Sequence, residues 1–250
     1  MDPFNDKRGA SHVRRRGFVT TRWSIVIAAG QDESSLSRDA LSVLCNTYWY
    51  PLYAYARRRG CGVEKAEDLT QGFFTRFLEK NDVADADRTR GKFRSYLLAS
   101  FKHYLANEHD REHAVKRGGK AELVHLDLTD AEHKYNSGMS HGLTPDQEYD
   151  KQWALAVLDG ALERLANEYA AEGKAQLFAQ LRAYLPGSNA ELTYRQCAEA
   201  LAMSEAAVKM AVLRMRKRYR QVLRKQIADT LADQDSVDEE IRYLLHVIGS

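Results

Sequence analysis

A chain of 250 residues with 44% hydrophobic and 29% charged side chains can bury one or two cores, which excludes a wholly disordered or fibrous protein. The formal net charge of +2 names no partner by its size, but its placement does: the N-terminal tail and residues 209–225 are basic, and the last twenty residues are acidic. Glycine (15) and proline (4) are sparse, the periodic signals are helical, and the three cysteines stand far apart, so an all-α fold in a reducing compartment is expected.

Residues 1–20, MDPFNDKRGASHVRRRGFVT, are basic without periodicity and read as a disordered, solubilising tail. The apolar run at 23–29 follows three arginines but is too short to span a membrane and lacks a convincing cleavage site. No membrane partner and a cytoplasmic location are expected. A helix should begin near Ser34 and carry Leu36, Ala40, Leu41, Val43 and Leu44. Another is expected from Pro51, whose missing N–H suits a first turn, to Gly60, with Arg57, Arg58 and Arg59 at the negative end of the dipole. The intervening tyrosines and Trp49 read as core.

Residues 64–79, EKAEDLTQGFFTRFLE, place Leu69, Phe73 and Phe77 every four residues, with Phe74 and Leu78 widening that face. Glu67 and Asp68 lie in the first turn, where the helix dipole favours acids; they also offer an acidic spot to a basic partner. After a charged connector at 81–90, residues 91–112 form a long amphipathic pattern. Phe93, Leu97, Leu98, Phe101 and Leu105 make its apolar stripe, and Arg94, Lys102, His103, Asn107 and Arg111 hold polar positions. Aromatic and cationic side chains mixed in this way suit single-stranded DNA, although core packing explains most of the aromatics.

A Gly-, Ser- and Asn-containing linker follows at 114–143. Thr144-Pro145-Asp146-Gln147 then restarts helix with an N-cap, a first-turn proline and a capping-box glutamine. Leu155, Leu158, Leu162, Leu165 and Tyr169 follow at heptad-like spacing, and a second helix carrying Leu177, Phe178, Leu181, Tyr184 and Leu185 should stop at Pro186-Gly187. At 193–218, TYRQCAEALAMSEAAVKMAVLRMRKR, Thr193 caps a short helix, residues 202–203 break it, and Ser204 caps a second. The second helix aligns Val208, Val212, Met215, Tyr219 and Val222. Eight Lys or Arg lie off that stripe between 205 and 225, against the single acid Glu205. Helix, tight turn and basic helix is the helix-turn-helix plan, with the second helix entering a DNA major groove. Residues 231–250 form an extension whose Ile241, Leu244, Leu245 and Ile248 make a short amphipathic helix, docked on its own chain or on a partner.

No phosphate-cradling glycine loop, nucleophile elbow or HExxH motif occurs. His109 and His113 share a helix face but lack a third ligand at fitting spacing. Neither an enzyme, a metal nor a cofactor is expected.

The helix AEDLTQGFFTRFLEK, the aromatic-basic helix GKFRSYLLASFKHYLANEHDRE and the helix-turn-helix, in this order, resemble a bacterial RNA polymerase sigma factor of the extracytoplasmic-function (ECF) group, over about residues 45–230. The resemblance implies two helical domains joined by a flexible linker: a region-2-like domain at 21–113 and a region-4-like domain at 144–230. It implies core polymerase binding by Glu67, Asp68, Leu69, Gln71 and Phe74, and contact of Arg94, Tyr96, Lys102, His103 and Asn107 with the melted downstream element. It places Thr193, Glu205, Ala206, Lys209, Met210, Arg214, Arg216, Lys217 and Arg218 at the upstream element. The group commonly has an acidic quartet where this chain has Lys65-Ala66-Glu67-Asp68, and often Asn where it has His103. Thr70, beside that thinned acidic pair, is a candidate phosphorylation site for a Ser/Thr kinase, and an anti-sigma factor is a candidate partner. The alternatives are a one-component helix-turn-helix regulator and a helical adaptor that binds no DNA.

Overall fold

The computed structural model describes residues 35–79, 92–114, 131, 132, 135, 142–185, 192–231 and 236–249. Among these residues the fold is all-helical: α1 (Ser35–Arg58), α2 (Val63–Glu79), α3 (Phe93–Ala114), α4 (Pro145–Ala171), α5 (Ala175–Leu181), α6 (Tyr194–Leu201), α7 (Glu205–Ala228) and α8 (Val237–Gly249), with one 3₁₀ turn at Arg182–Tyr184. The N-terminal tail, the connector at 81–90 and most of the linker lie outside the described residues.

Pro51 does not open a helix; it sits inside α1, which runs through it. The cost of a mid-helix proline, about 3 kcal/mol, is borne because the flanking turns are core on every side. Tyr48, Leu52, Tyr53, Ala54 and Ala56 are wholly buried and Tyr55 nearly so. Against α1 lie α2 and the long helix α4. The aromatic packing of this half is dense: Phe73 meets Phe101 edge-on at 5.1 Å, and Tyr48 meets Phe93 at 5.3 Å. Of the linker, Glu132 and Tyr135 are fastened to the end of α1. Glu132 accepts from Tyr53 Oη at 2.5 Å and from Arg57 Nη2 at 2.9 Å, and the Arg57 guanidinium lies over the Tyr135 ring.

Helix α4 starts as expected. Thr144 Oγ1 accepts from the Gln147 amide, Gln147 Oε1 accepts from the Thr144 amide, and Pro145 takes the first turn. Its buried stripe matches the leucine series only at Leu165, however. Leu155, Leu158 and Leu162 are only half-buried, and the deep positions are Tyr149, Trp153, Ala154, Val157, Ala161 and Leu165. The helix has several neighbours rather than one seam. Its first half packs on α1 and the start of α3, and its second half packs on α7, where Leu158 O accepts from Tyr219 Oη and Glu168 pairs with Arg218.

The C-terminal extension docks on its own chain. Helix α8 lies against α4 and α7 and inserts Glu240, 1% exposed, beside Arg94, itself 7% exposed. Arg94 Nε donates to Glu240 Oε1 at 2.8 Å, its Nη1 donates to Asp150, and its guanidinium lies over both the Trp153 and the Tyr243 rings, 4.9 and 4.6 Å from their centroids. Lys92 also pairs with Glu240, and Tyr243 Oη donates to Asp150. Burial disfavours the guanidinium charge, but Asp150 and Glu240 outweigh it and hold the Arg94 pKa above its ordinary value. Replacing Glu240 leaves a buried cation with one carboxylate in place of two. Glu240→Ala should therefore lower stability by about 2–3 kcal/mol in urea unfolding. Arg94→Met combined with it should cost less than the two single losses added together.

Candidate nucleic-acid interface

The basic helix α7 is set by two caps and a strained turn. Thr193 and Gln196 form a reciprocal capping box at the start of α6, and Ser204 Oγ accepts from the Ala207 amide at the start of α7. Between them Ala202 adopts φ 51°, ψ 42°, the one left-handed non-glycine residue among those described. Its amide and that of Met203 close back onto the Glu199 and Ala198 carbonyls at 3.3 and 2.9 Å, which ends α6 within one residue. Cys197 and Ala198 of α6 pack with Val208, Val212 and Met215 of α7 in the core. The apolar stripe read from the sequence is thus the buried one.

The cations of α7 divide into two sets. Arg216 donates from Nε and Nη2 to the Tyr184 carbonyl at 2.9 and 2.7 Å, tying α7 to the 3₁₀ turn. Arg218 pairs with both oxygens of Glu168, and Arg224 pairs with Asp238 of α8. Arg216 and Arg218, expected at phosphates, are therefore committed to the fold in this conformation. Lys209, Arg214, Lys217, Arg220 and Lys225 are exposed, and among the described residues no acid pairs with Arg214, Lys217 or Arg220. Lys209 lies over the Tyr194 ring at 5.6 Å, and that ring stacks on Tyr184 at 4.8 Å. The amide end of the helix thus carries an aimed cation, with Glu205 4.0 Å from it and exposed Ala206 and Met210 nearby.

In the first half, Tyr96, His103 and Asn107 come together. With Phe73, Arg76, Phe77, Ser100 and Tyr104 they line an open groove of about 280 Å³ between α2 and α3. Its floor is aromatic and its rim polar. Tyr104 can lie this close to α2 because residue 72 is glycine; a Cβ there would stand 2.5 Å from the Tyr104 hydroxyl. Burial raises the Tyr104 pKa to about 12, further above physiological pH than an ordinary phenol, which is itself neutral there. Two other residues expected at this surface are elsewhere. Arg94 is buried under α8, and Lys102 turns to the opposite flank, paired with Asp146 and lying over the Tyr55 ring. Sequence reading missed Arg76, Phe73 and Phe77 as groove residues, since a phenylalanine every four residues signals core. Both phenylalanines are indeed core, with the groove resting on them.

On α2, Asp68 is exposed and Glu67, Leu69 and Gln71 are half-exposed, whereas Phe74 is 5% exposed against Phe73 and belongs to the core. Thr70 also differs from expectation. It is wholly buried and donates to the Ala66 carbonyl at 2.7 Å, out of a kinase's reach in this fold. The Glu67 carboxyl is held above its ordinary pKa, chiefly by burial and then by Asp68, Glu132 and Glu64 around it. No three or more His, Cys, Asp or Glu side chains among the described residues converge as metal ligands. Nor is any helix among them long and apolar enough to cross a membrane.

A family model described as ECF sigma factor matches residues 39–225. Comparisons with curated proteins and with solved structures returned no match.

Two outcomes follow for this surface. Ala202→Gly relieves a left-handed alanine and should stabilise the protein by about 1 kcal/mol, read as a higher unfolding midpoint. Glu67, with its raised pKa, costs stability once ionised; that cost is absent below the unfolded-state pKa and develops as pH rises through the folded one. Glu67→Gln should therefore gain stability over the wild type at pH 7 and lose that advantage near pH 3, as measured by thermal melts.

Proposed function

The chain belongs to the ECF sigma factor family, and we propose that it binds core RNA polymerase, places it at promoters, and helps open the DNA there to start transcription. Sigma factors act by binding, and no step calls for catalysis by this chain. The observation that carries the reading is the pairing of two different surfaces on one fold: an aromatic-floored groove at Tyr96, His103, Tyr104 and Asn107, and a capped, cation-bearing helix α7. The first suits unstacked bases and the second suits duplex.

In this reading α7 enters the major groove of the upstream element. Thr193 and Ser204 fix its approach, and Glu205, Ala206, Lys209 and Met210 lie in the turns nearest base edges. Arg214 and Lys217 hold phosphates, so affinity falls with salt. In the downstream element, a base leaves the stack and rests on the groove's aromatic floor, with His103 and Asn107 at its edge. Extruding that base costs a few kcal/mol, which stacking of about 1–3 kcal/mol per base and polar contacts offset. Core polymerase is met by Glu67, Asp68, Leu69 and Gln71. Ionised Glu67 is held there at a stability cost, as expected of a residue kept for a partner rather than for the fold. Such a protein works in the cytoplasm.

His103 and Asn107 are exposed on the groove rim, so their removal should leave the fold intact. With core polymerase and a promoter library, the full-length protein should initiate at a defined promoter set. Combining His103→Ala with Asn107→Ala should lower initiation by about fivefold or more, with unchanged melting temperature and unchanged binding to core. DNA binding that is specific without core polymerase, and no initiation with it, would overturn the reading in favour of a one-component regulator.

A further inference from the structure

The outermost ridge of α7 is apolar where it first leaves the protein. Helical geometry of about 100° per residue places Ala206, Met210, Leu213 and Lys217 in one line, opposite the buried stripe Val208, Val212 and Met215. All four are exposed, Met210 by 50% and Leu213 by 59%. Two large apolar side chains standing in water on the helix expected to meet DNA call for an apolar counterpart. On either side of them run cations, Lys209 held over Tyr194 on one flank and Arg214 on the other, and beyond them Lys217 and Arg220. The partner must therefore be anionic overall and apolar at its centre.

Duplex DNA approached through the major groove has that character at one base only. The thymine C5-methyl is the apolar group on that edge, whereas guanine, adenine and cytosine present donors and acceptors to side chains that can hydrogen-bond. Neither Met210 nor Leu213 can use those groups, and each would desolvate them without return. We propose that Met210 and Leu213 are specificity residues that read thymine methyl groups in the upstream element, with Ala206 keeping the ridge low enough for the helix to seat. This rests on the sigma-factor reading above and adds to it the kind of base that the ridge prefers.

The test uses the full-length protein with core polymerase. Upstream elements are selected from a randomised duplex, and each thymine in the selected element is then replaced by uracil, which removes only the methyl. Wild-type holoenzyme should lose about threefold to fivefold in promoter affinity at one or two positions. Met210→Ala should abolish the loss at one of them and Leu213→Ala at the other or at the same one, with the salt dependence of binding unchanged. If the holoenzyme initiates normally and uracil is neutral at every position, the methyl reading is wrong while the sigma reading stands. Weaker binding of either variant to core polymerase, with promoter preference unchanged, would assign the ridge to a protein contact and also overturn it. A holoenzyme that initiates at no promoter removes both readings together.

Discussion

Arg94 carries a positive charge to a place where only 7% of its surface remains in water, and the arrangement of α3, α4 and α8 follows from neutralising it. A buried cation without partners costs several kcal/mol. Asp150 reaches it from α4 and Glu240 from α8, while Trp153 and Tyr243 cover its faces. Three segments distant in sequence are thereby fixed at one point. Tyr149 adds a neutral link there, donating its hydroxyl to the Arg94 carbonyl at 3.0 Å. The C-terminal helix is in consequence part of the fold's architecture, not an appendage to it.

The same economy of charge governs α7. A count of arginines and lysines along the helix treats them as one cationic face, yet Arg216, Arg218 and Arg224, although exposed, are engaged by the Tyr184 carbonyl, Glu168 and Asp238. The cations that no acid pairs with among the described residues form a narrower band flanking an apolar ridge. A narrower band binds DNA less tightly without regard to sequence, since each phosphate contact adds the same salt-dependent increment at any site. Discrimination then depends more on the side chains at base edges.

Local signals in the sequence proved sufficient for most of the elements, though not for α1, expected as two helices and found as one. Thr144, Pro145 and Gln147, and Thr193 and Ser204, announce their caps through chemistry confined to a few residues. Where two elements compete for one helix, the signal blurs. The leucines of α4 suggest one seam, and the helix in fact serves several neighbours, with Trp153 rather than Leu155 or Leu158 at the centre. Pro51 misled for the same reason, since tertiary packing overrode a local preference. The candidate sites were legible as stretches but not as residues. Tyr96, His103 and Asn107 do converge, whereas Arg94 and Lys102, on the same helix, are drawn away by Glu240, Asp150 and Asp146. Acids 44 to 146 residues away decide those outcomes, and no window of sequence contains them.

The sharing of α4 between both halves bears on the integrity of the chain itself. Covalent continuity between α3 and α4 is not the sole tie between the halves. Tyr149 and Trp153 on one side and Tyr219, Arg218 and Glu168 on the other make α4 a rivet through both. A chain nicked between those two helices is therefore expected to stay one particle, read as a single species in gel filtration.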